Sequence, residues 1–435
     1  MKSISNIFEK LTNPINIEFA IKDAFQNKKR NKLEKDMYVN RFKYAVDIAK
    51  KIESGEYPKQ YPRVKSEIME SSARKKRYVT KPDAIEHVIH HAICNELMSY
   101  FKKSFYPFAV ASVPGKGDGY GVHKMKVWIK RFVKNGKFYT LKMDVHKFFD
   151  SIDRNVLYKK ILRISKDTRL NELFRKIIWY DGDYSAKGIP IGFYTSQWLA
   201  NFYLQSLDYY ITDTLKQRYS CKGLKMMRYM DDIVILCPNK RKLHKIRNDI
   251  SEYLNKELHL ELKKNWYIAP FEYINEKKAP KHKKHIAGRA LDYMGFVFHP
   301  DRTTLRKSTL YRTRRKANRI NRKVNHGSRL NWYMCSQMLA GISRMCRCNT
   351  YNYYIKYIQP VVSRKKCIEV LSTSAKLRAL KQESERYLKN TCTNLIIDSF
   401  AICNNKVRGE EDHEYGIKIQ KIRKYCTAQL NRLYI

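Results

Sequence analysis

The chain has 435 residues, 43% of them apolar, which excludes global disorder and suits either roughly two to three ordinary domains or one multi-lobed enzyme. Lysine and arginine number 88 against 41 acids, a net charge of +47, and 32 tyrosines outnumber 18 phenylalanines; such a field draws nucleic acid ahead of a membrane surface, and the rings offer stacking faces for unpaired bases. Ten scattered cysteines with no CxxC pair argue against a zinc site or a disulfide framework, and no apolar run approaches a membrane span, so a soluble intracellular protein with reduced thiols is expected.

Residues 1 to 55 read as helical, with Tyr38, Phe42, Ala45, Val46 and Ile48 at helical spacing before a stop at Gly55. The stretch "EYPKQYPRV" breaks that pattern. In "ARKKRYVTKPDAIEHVIHHAICNELMSYF" a short basic strand or loop precedes a helix starting after Pro82, with Asp83 as its N-cap. Glycine and lysine cluster from Ser112 to Gly121 in a loop that backbone or phosphate can approach, although no GK[ST] follows to make it a Walker motif. "KFYTLKMDVHKFFDSID" predicts a strand ending in acid, then a helix from near Asp153. "KGIPIGFYTSQWLANFYLQSLDYYI" is a Gly/Pro loop feeding an apolar helix, and "RYMDDIVIL" follows as part of a strand, turn and strand. From Asp301 to Leu330 the composition shifts to eleven Lys/Arg against the single acid Asp301. Arg312, Arg315, Arg319 and Arg322 align on one helix face there, a pattern suited to tracking phosphates. Residues 331–435 read as mostly helical and basic, and no internal repeat interrupts the chain.

Asp231 and Asp232 sit inside an otherwise apolar run that should be buried. A plain tight turn is the simpler account, but neither glycine nor asparagine adjoins the pair. Buried like charges need a cation or a proton, and hard oxygen ligands suit Mg²⁺. A third carboxylate at another strand end completes such a site, and Asp144 is placed for it, whereas Asp150 and Asp153 resemble solvent-facing helix caps. Three acids in this arrangement could hold two ions about 3.5–4 Å apart, which points to phosphoryl transfer by a polymerase or a nuclease.

"YMDD" (Tyr229 to Asp232) resembles the catalytic box of reverse transcriptases, and "MDVHKFFDSI" resembles their first palm motif. "KKRYVTKP", "VPGKGDGYG", "IGFYTSQ", "LELKKNW" and "LDYMGFVF" are similar to further motifs of that family, in the family's order, over residues 30 to 330. The resemblance implies an α+β right-hand polymerase with an antiparallel palm sheet. It places an N-terminal helical segment at 1–68 and fingers at 69–137. The palm follows at 138–300, with a fingers-proximal insert at 155–187 and a primer-grip hairpin at 288–300. A basic helical thumb and C-terminal extension occupy 301–435. It implies Mg²⁺, or Mn²⁺ in its place, on Asp144, Asp231, Asp232 and the Val145 carbonyl. Lys263 would protonate the leaving pyrophosphate, with Lys264 as the other candidate. Lys75 and Arg77 would hold triphosphate, Phe149 would exclude a 2′-hydroxyl, and Gln197 would border the base. Tyr229, Met230, Gly295 and the Arg312–Arg322 stripe would meet nucleic acid.

Within the family, Ser196-Gln197 in place of Ser-Pro, after Lys187-Gly188, is similar to diversity-generating retroelement enzymes and to anti-phage defence types. Glu86-His87 departs from a usual Asp-Arg. Asp398 and the cluster Glu410, Glu411, Asp412 and Glu414 form no ribonuclease H quartet, and no HNH-type Cys/His spacing occurs. The resemblance implies a bacterial, cytoplasmic RNA-directed DNA polymerase that uses dNTPs and a structured RNA template to make a DNA product. An accessory protein or a second copy as partner stays open, as does a maturase-like scaffold role. The chain length and the Lys/Arg excess favour the defence reading over the diversity-generating one.

Overall fold

The computed structural model describes residues 5–26, 30–61, 63, 65–70, 75–274 and 286–375. Four helices open the chain: α1 (Ile7–Thr12), α2 (Pro14–Phe25), α3 (Lys32–Val39) and α4 (Arg41–Glu53). Pro14 takes the first position of α2, and the Asn13 side chain accepts from the Ile15 amide as its cap. Ile17, Ala20, Ile21 and Ala24 then form a fully buried stripe. The helix expected across residues 38–54 is broken at Asn40, whose side-chain amide donates to the Asp36 carboxylate at 2.7 Å. Phe42, in the first turn of α4, is 60% exposed, and the buried face begins at Ala45.

A hairpin of β1 (Lys65–Glu70) and β2 (Lys75–Thr80) follows, then α5 (Ala84–Ser104), capped by Asp83 in a reciprocal box with Glu86 as the Pro82-Asp83 signal predicts. Next come α6 (Asp118–Lys134), β3 (Tyr139–Asp144), the short α7 (Phe148–Ser151), α8 (Arg154–Ile161) and α9 (Thr168–Ile178). Asp153 caps α8 by accepting from the amides of Asn155 and Val156. Helix α10 (Tyr194–Tyr209) passes through a π-helical turn, Tyr210–Leu215, into α11 (Lys216–Arg218). Strands β4 (Lys225–Tyr229) and β5 (Asp232–Cys237) form the expected hairpin, followed by α12 (Lys240–Leu258) and β6 (Tyr267–Pro270). The remaining elements are β7 (Tyr273–Ile274), β8 (Ile286–Ala287), β9 (Leu291–Tyr293), β10 (Phe296–Phe298), β11 (Thr303–Leu305), α13 (Lys307–Asn325), α14 (Trp332–Cys346) and α15 (Tyr351–Tyr357).

The central sheet has the order β4-β5-β3-β6, with every neighbour antiparallel. Met226, Met227 and Ile233 through Leu236 are all fully buried, because both faces of the hairpin are covered; this explains a continuous apolar run where a half-exposed strand would alternate. Helix α12 lays Leu243, Ile246, Ile250, Leu254 and Leu258 against the side of the sheet carrying β3 and β6. A second sheet, β11-β10-β9, contains a tight turn at Met294 and Gly295, both with positive φ (52° and 82°), the backbone demanded by a two-residue hairpin loop. Helical ends around antiparallel sheets agree with the expected α+β class.

The described residues divide into two compact units, those within 1–314 and 343–355, and those within 315–342 and from 356 onward. All the described strands and the N-terminal helices belong to the first. In the second, Ala317, Ile320, Cys335, Met338, Ile342 and Ile358 are buried.

Candidate active site

Strand pairing sets the three aspartates at neighbouring backbone positions. Asp144 ends β3 and is the register partner of Asp232, the first residue of β5, while Tyr229 at the end of β4 pairs with Asp232 from the other side. Met230 and Asp231 form the connecting turn. With no glycine available, Met230 itself takes the left-handed conformation at φ 57°, at a cost of roughly 1–2 kcal/mol. Asp231 is an ordinary turn residue, but Met230 is not one that a left-handed position favours, which is why the absence of glycine or asparagine argued against a tight turn there.

The electrostatics are those of acids held close without enough cation. The Asp231 carboxyl is pushed up to about 6, first by burial and then by the like charge of Asp144. Asp232 is also pushed up to about 6 by burial, opposed by the ammonium of Lys142. Lys142 Nζ lies 3.4 Å from Asp232 Oδ2, and Lys263 Nζ lies 2.7 Å from Asp144 Oδ2. On each acid the other oxygen, Oδ1, is buried with no hydrogen-bond partner. Unpartnered, buried, hard oxygen donors fit Mg²⁺. Among the described residues no three His, Cys, Asp or Glu side chains already converge as a ligand cluster. Two of the acids instead rest against lysines.

Residues 75–296, just over half of the chain, match the family model for reverse transcriptase (RNA-dependent DNA polymerase). The chain belongs to this family. Among solved structures it is similar to apo telomerase from Candida tropicalis truncated from its C-terminal domain, at 12% identity and a TM-score of 0.40 over 56% of this chain and 54% of that one. It is also similar to telomerase from Candida albicans in complex with a fragment of telomeric RNA, at 10% identity and a TM-score of 0.41 over 69% and 55%. Both similarities are distant, and the chain spans little more than half the length of either. No curated protein matches it.

The loop before β6 carries Lys263 to the acids by two backbone bonds. The His146 amide donates to the Glu261 carbonyl, and the Lys263 amide to the Asp144 carbonyl, each at 2.8 Å. Lys264 is exposed, and Val145 is a core residue bridged to Leu262. Phe149 is half-buried, edge-on to Phe148 at 5.6 Å, and its carbonyl accepts from the Ile189 amide at 2.9 Å. That bond ties Phe149 to the loop that leads into α10, where Gln197 is exposed. The same loop meets β2: the Thr80 amide donates to the Ile191 carbonyl at 2.8 Å, and a Cβ on Gly192 (φ 128°) would run into the Thr80 carbonyl. Arg77 is exposed on β2 opposite Ile68. Lys75 opens that strand, and its side chain lies outside the described residues.

Tyr229 and Met230 are half-buried beside the acids. Gly295 sits at the β9–β10 turn, whose tip is held by Arg344 Nη2 donating to the Met294 carbonyl at 2.7 Å. On α13, Arg315, Arg319 and Arg322 are exposed and Arg312 is half-buried, opposite the buried Thr313, Ala317 and Ile320. Asp398 and the acids at 410–414 lie outside the described residues.

Three residues escaped the sequence reading. Lys142 had a signal, since it precedes Asp144 by two and so shares its strand face. Tyr293, whose hydroxyl donates to the carbonyls of Met227 (3.2 Å) and Asp232 (3.0 Å), and Arg344 act across long sequence separations and left none. The Glu86-His87 departure also has an answer: buried Glu86 pairs with Arg63, so the cation comes from an earlier segment. Burial still raises the Glu86 carboxyl above its ordinary range, with Arg63 opposing.

Proposed function

We propose that the chain is an RNA-templated DNA polymerase that adds dNTPs to a primer 3′ end. The observation that carries this reading is the Asp144–Asp232 register pair with Asp231 in the adjoining turn, two of the three acids having buried oxygens without a hydrogen-bond partner. Asp144, Asp231, Asp232 and the Val145 carbonyl would hold two Mg²⁺ ions, whose charge favours loss of the 3′-hydroxyl proton and offsets charge on the pyrophosphate. Lys263, beside Asp144, delivers a proton to that leaving group. Lys75 and Arg77 steady the triphosphate, Phe149 blocks a 2′-hydroxyl, and Gln197 borders the base. Tyr229, Met230 and Gly295 face the primer strand, and the arginines of α13 track phosphates. Residues 69–137 serve as fingers, 138–300 as palm and 301–435 as thumb and extension, behind the helical segment 1–68.

The test is primer extension on an RNA template with Mg²⁺. Asp231→Asn with Asp232→Asn should lower incorporation at least 10³-fold, and undiminished incorporation sinks the assignment. If the biological activity survives the loss of incorporation, the maturase-like scaffold is the better account.

The biological role we favour is the copying of a dedicated noncoding RNA in bacterial anti-phage defence, supported by the Lys/Arg excess behind the +47 charge, while Ser196-Gln197 fits this role and a diversity-generating enzyme alike. Sequencing the copurified RNA and DNA decides it. One structured RNA with its complement supports this role, whereas products with substitutions concentrated at template adenines point to a diversity-generating enzyme.

A further inference from the structure

Arg228, the penultimate residue of β4, and Asp208, near the end of α10, form an ion pair in which neither side chain reaches solvent. The guanidinium donates from Nε to Asp208 Oδ1 at 2.7 Å and from Nη2 to Asp208 Oδ2 at 2.5 Å. Its remaining arm, Nη1, donates to Asn201 Oδ1 at 3.0 Å and to the Met230 carbonyl at 2.9 Å. A buried ion pair is a poor device for stability alone, because apolar residues of similar volume serve a core as well or better. What an apolar side chain cannot do is donate to that carbonyl. It belongs to the left-handed Met230 and to the peptide that leads directly into Asp231. A strained residue persists only where its surroundings over-determine it, and the planar guanidinium, fixed along one edge by Asp208, supplies that constraint.

We propose that Arg228, with Asp208 and Asn201, is a clamp that sets the path of the Met230–Asp231 turn, making Arg228 a positioning residue for the carboxylate site; this rests on the polymerase reading of that site. The clamp reaches further. Gln197, Asn201 and Asp208 fall on one face of α10 by helical periodicity, so the helix that presents Gln197 also anchors the hairpin. Asn201 Nδ2 donates to the Ala111 carbonyl at 2.9 Å, and the Val110 amide to the Arg228 carbonyl at 2.9 Å, tying in the loop before α6.

The test replaces the pair by apolar residues, Arg228→Met with Asp208→Leu, which keeps volume and removes both charges. The clamp predicts a protein that melts close to the parent, with kcat for dNTP incorporation down at least tenfold and KM for dNTP within threefold. Terbium(III) luminescence titration should show at least tenfold weaker binding at the carboxylates. A folded double variant with kcat and terbium affinity within threefold of the parent overturns the clamp. Should the double variant fail to fold, Arg228→Lys takes its place, since it keeps a charge for Asp208 but lacks the rigid second arm. Adding Met230→Gly, which adopts positive φ without strain, should then recover at least threefold of the lost kcat; no recovery overturns the clamp. A parent that extends no primer defeats the polymerase reading, and terbium affinity alone then judges the clamp. A parent that also binds no terbium overturns both.

Discussion

At the scale of single residues, the acids make the metal-free protein's stability depend on pH. Asp231 and Asp232 are raised from an ordinary value near 3.8 to about 6, so the folded state prefers their protonated forms. The stability they contribute is complete below about pH 4 and is lost as pH climbs through about 6. At pH 8 the folded protein therefore carries the cost of keeping two buried carboxyls ionised, with the charge of Asp144 adding to it. Asp231→Asn should raise the metal-free melting temperature at pH 8 by about 2–4 °C, about 1 kcal/mol after allowing for partial exposure, and leave it unchanged at pH 4. Thermal melts at the two pH values check this, and an equal effect at both would contradict it. Phe149 carries a second expectation: Phe149→Ala should raise the ratio of rNTP to dNTP incorporation at least tenfold, with continued exclusion of ribonucleotides refuting the gate. Asp231 and Asp232 stand out in sequence against an apolar run and Asp144 closes a strand pattern, whereas Phe149, beside Phe148, is singled out only by its place in the motif that resembles the family's. Arg228 reads locally as one more strand residue, because its partners Asp208 and Asn201 lie on another element.

Elements were legible where a face repeats. The stripe on α13 was visible because Arg312, Arg315, Arg319 and Arg322 recur at helical steps, and the structure sets them opposite Thr313, Ala317 and Ile320 on that helix. Breaks were less legible: Asn40 divides α3 from α4 through a side-chain bond that periodicity does not record, and α6 begins at Asp118 inside a glycine cluster that read as loop. If α13 follows a nucleic-acid backbone, affinity should fall steeply with salt, with a log–log slope of about −0.7 per single-strand phosphate contacted. Replacing Arg315, Arg319 and Arg322 by glutamine, which preserves helix propensity, should make that slope shallower by about 2. Single-stranded RNA binding titrated across salt concentrations measures it, and an unchanged slope removes α13 from the interface.

At the scale of the molecule, composition points to a polyanion partner and foretold a sizeable core but not which segments share that core. The N-terminal helices read as a separate stretch, because a helical stripe announces that it is buried without naming what buries it. The structure supplies the partner: Asn16 Nδ2 donates to the Ala92 carbonyl of α5 at 3.2 Å, and α2 packs along α5 with Ile17 and Ile21 fully buried. Ile7, Phe8, Leu11, Phe25, Ile48 and Ile52 join the same cluster. Each such side chain contributes about 1.5–3 kcal/mol as an upper estimate, so the eight together rival the whole net stability of about 5–15 kcal/mol typical of a folded domain. Removing residues 1–54 should therefore unfold the central sheet, although Asp144, Asp231 and Asp232 lie far away in sequence. The expected result is an aggregating chain with no cooperative melting transition. A soluble truncated protein that melts near the parent and still extends a primer would show that the sheet and its acids stand without that support.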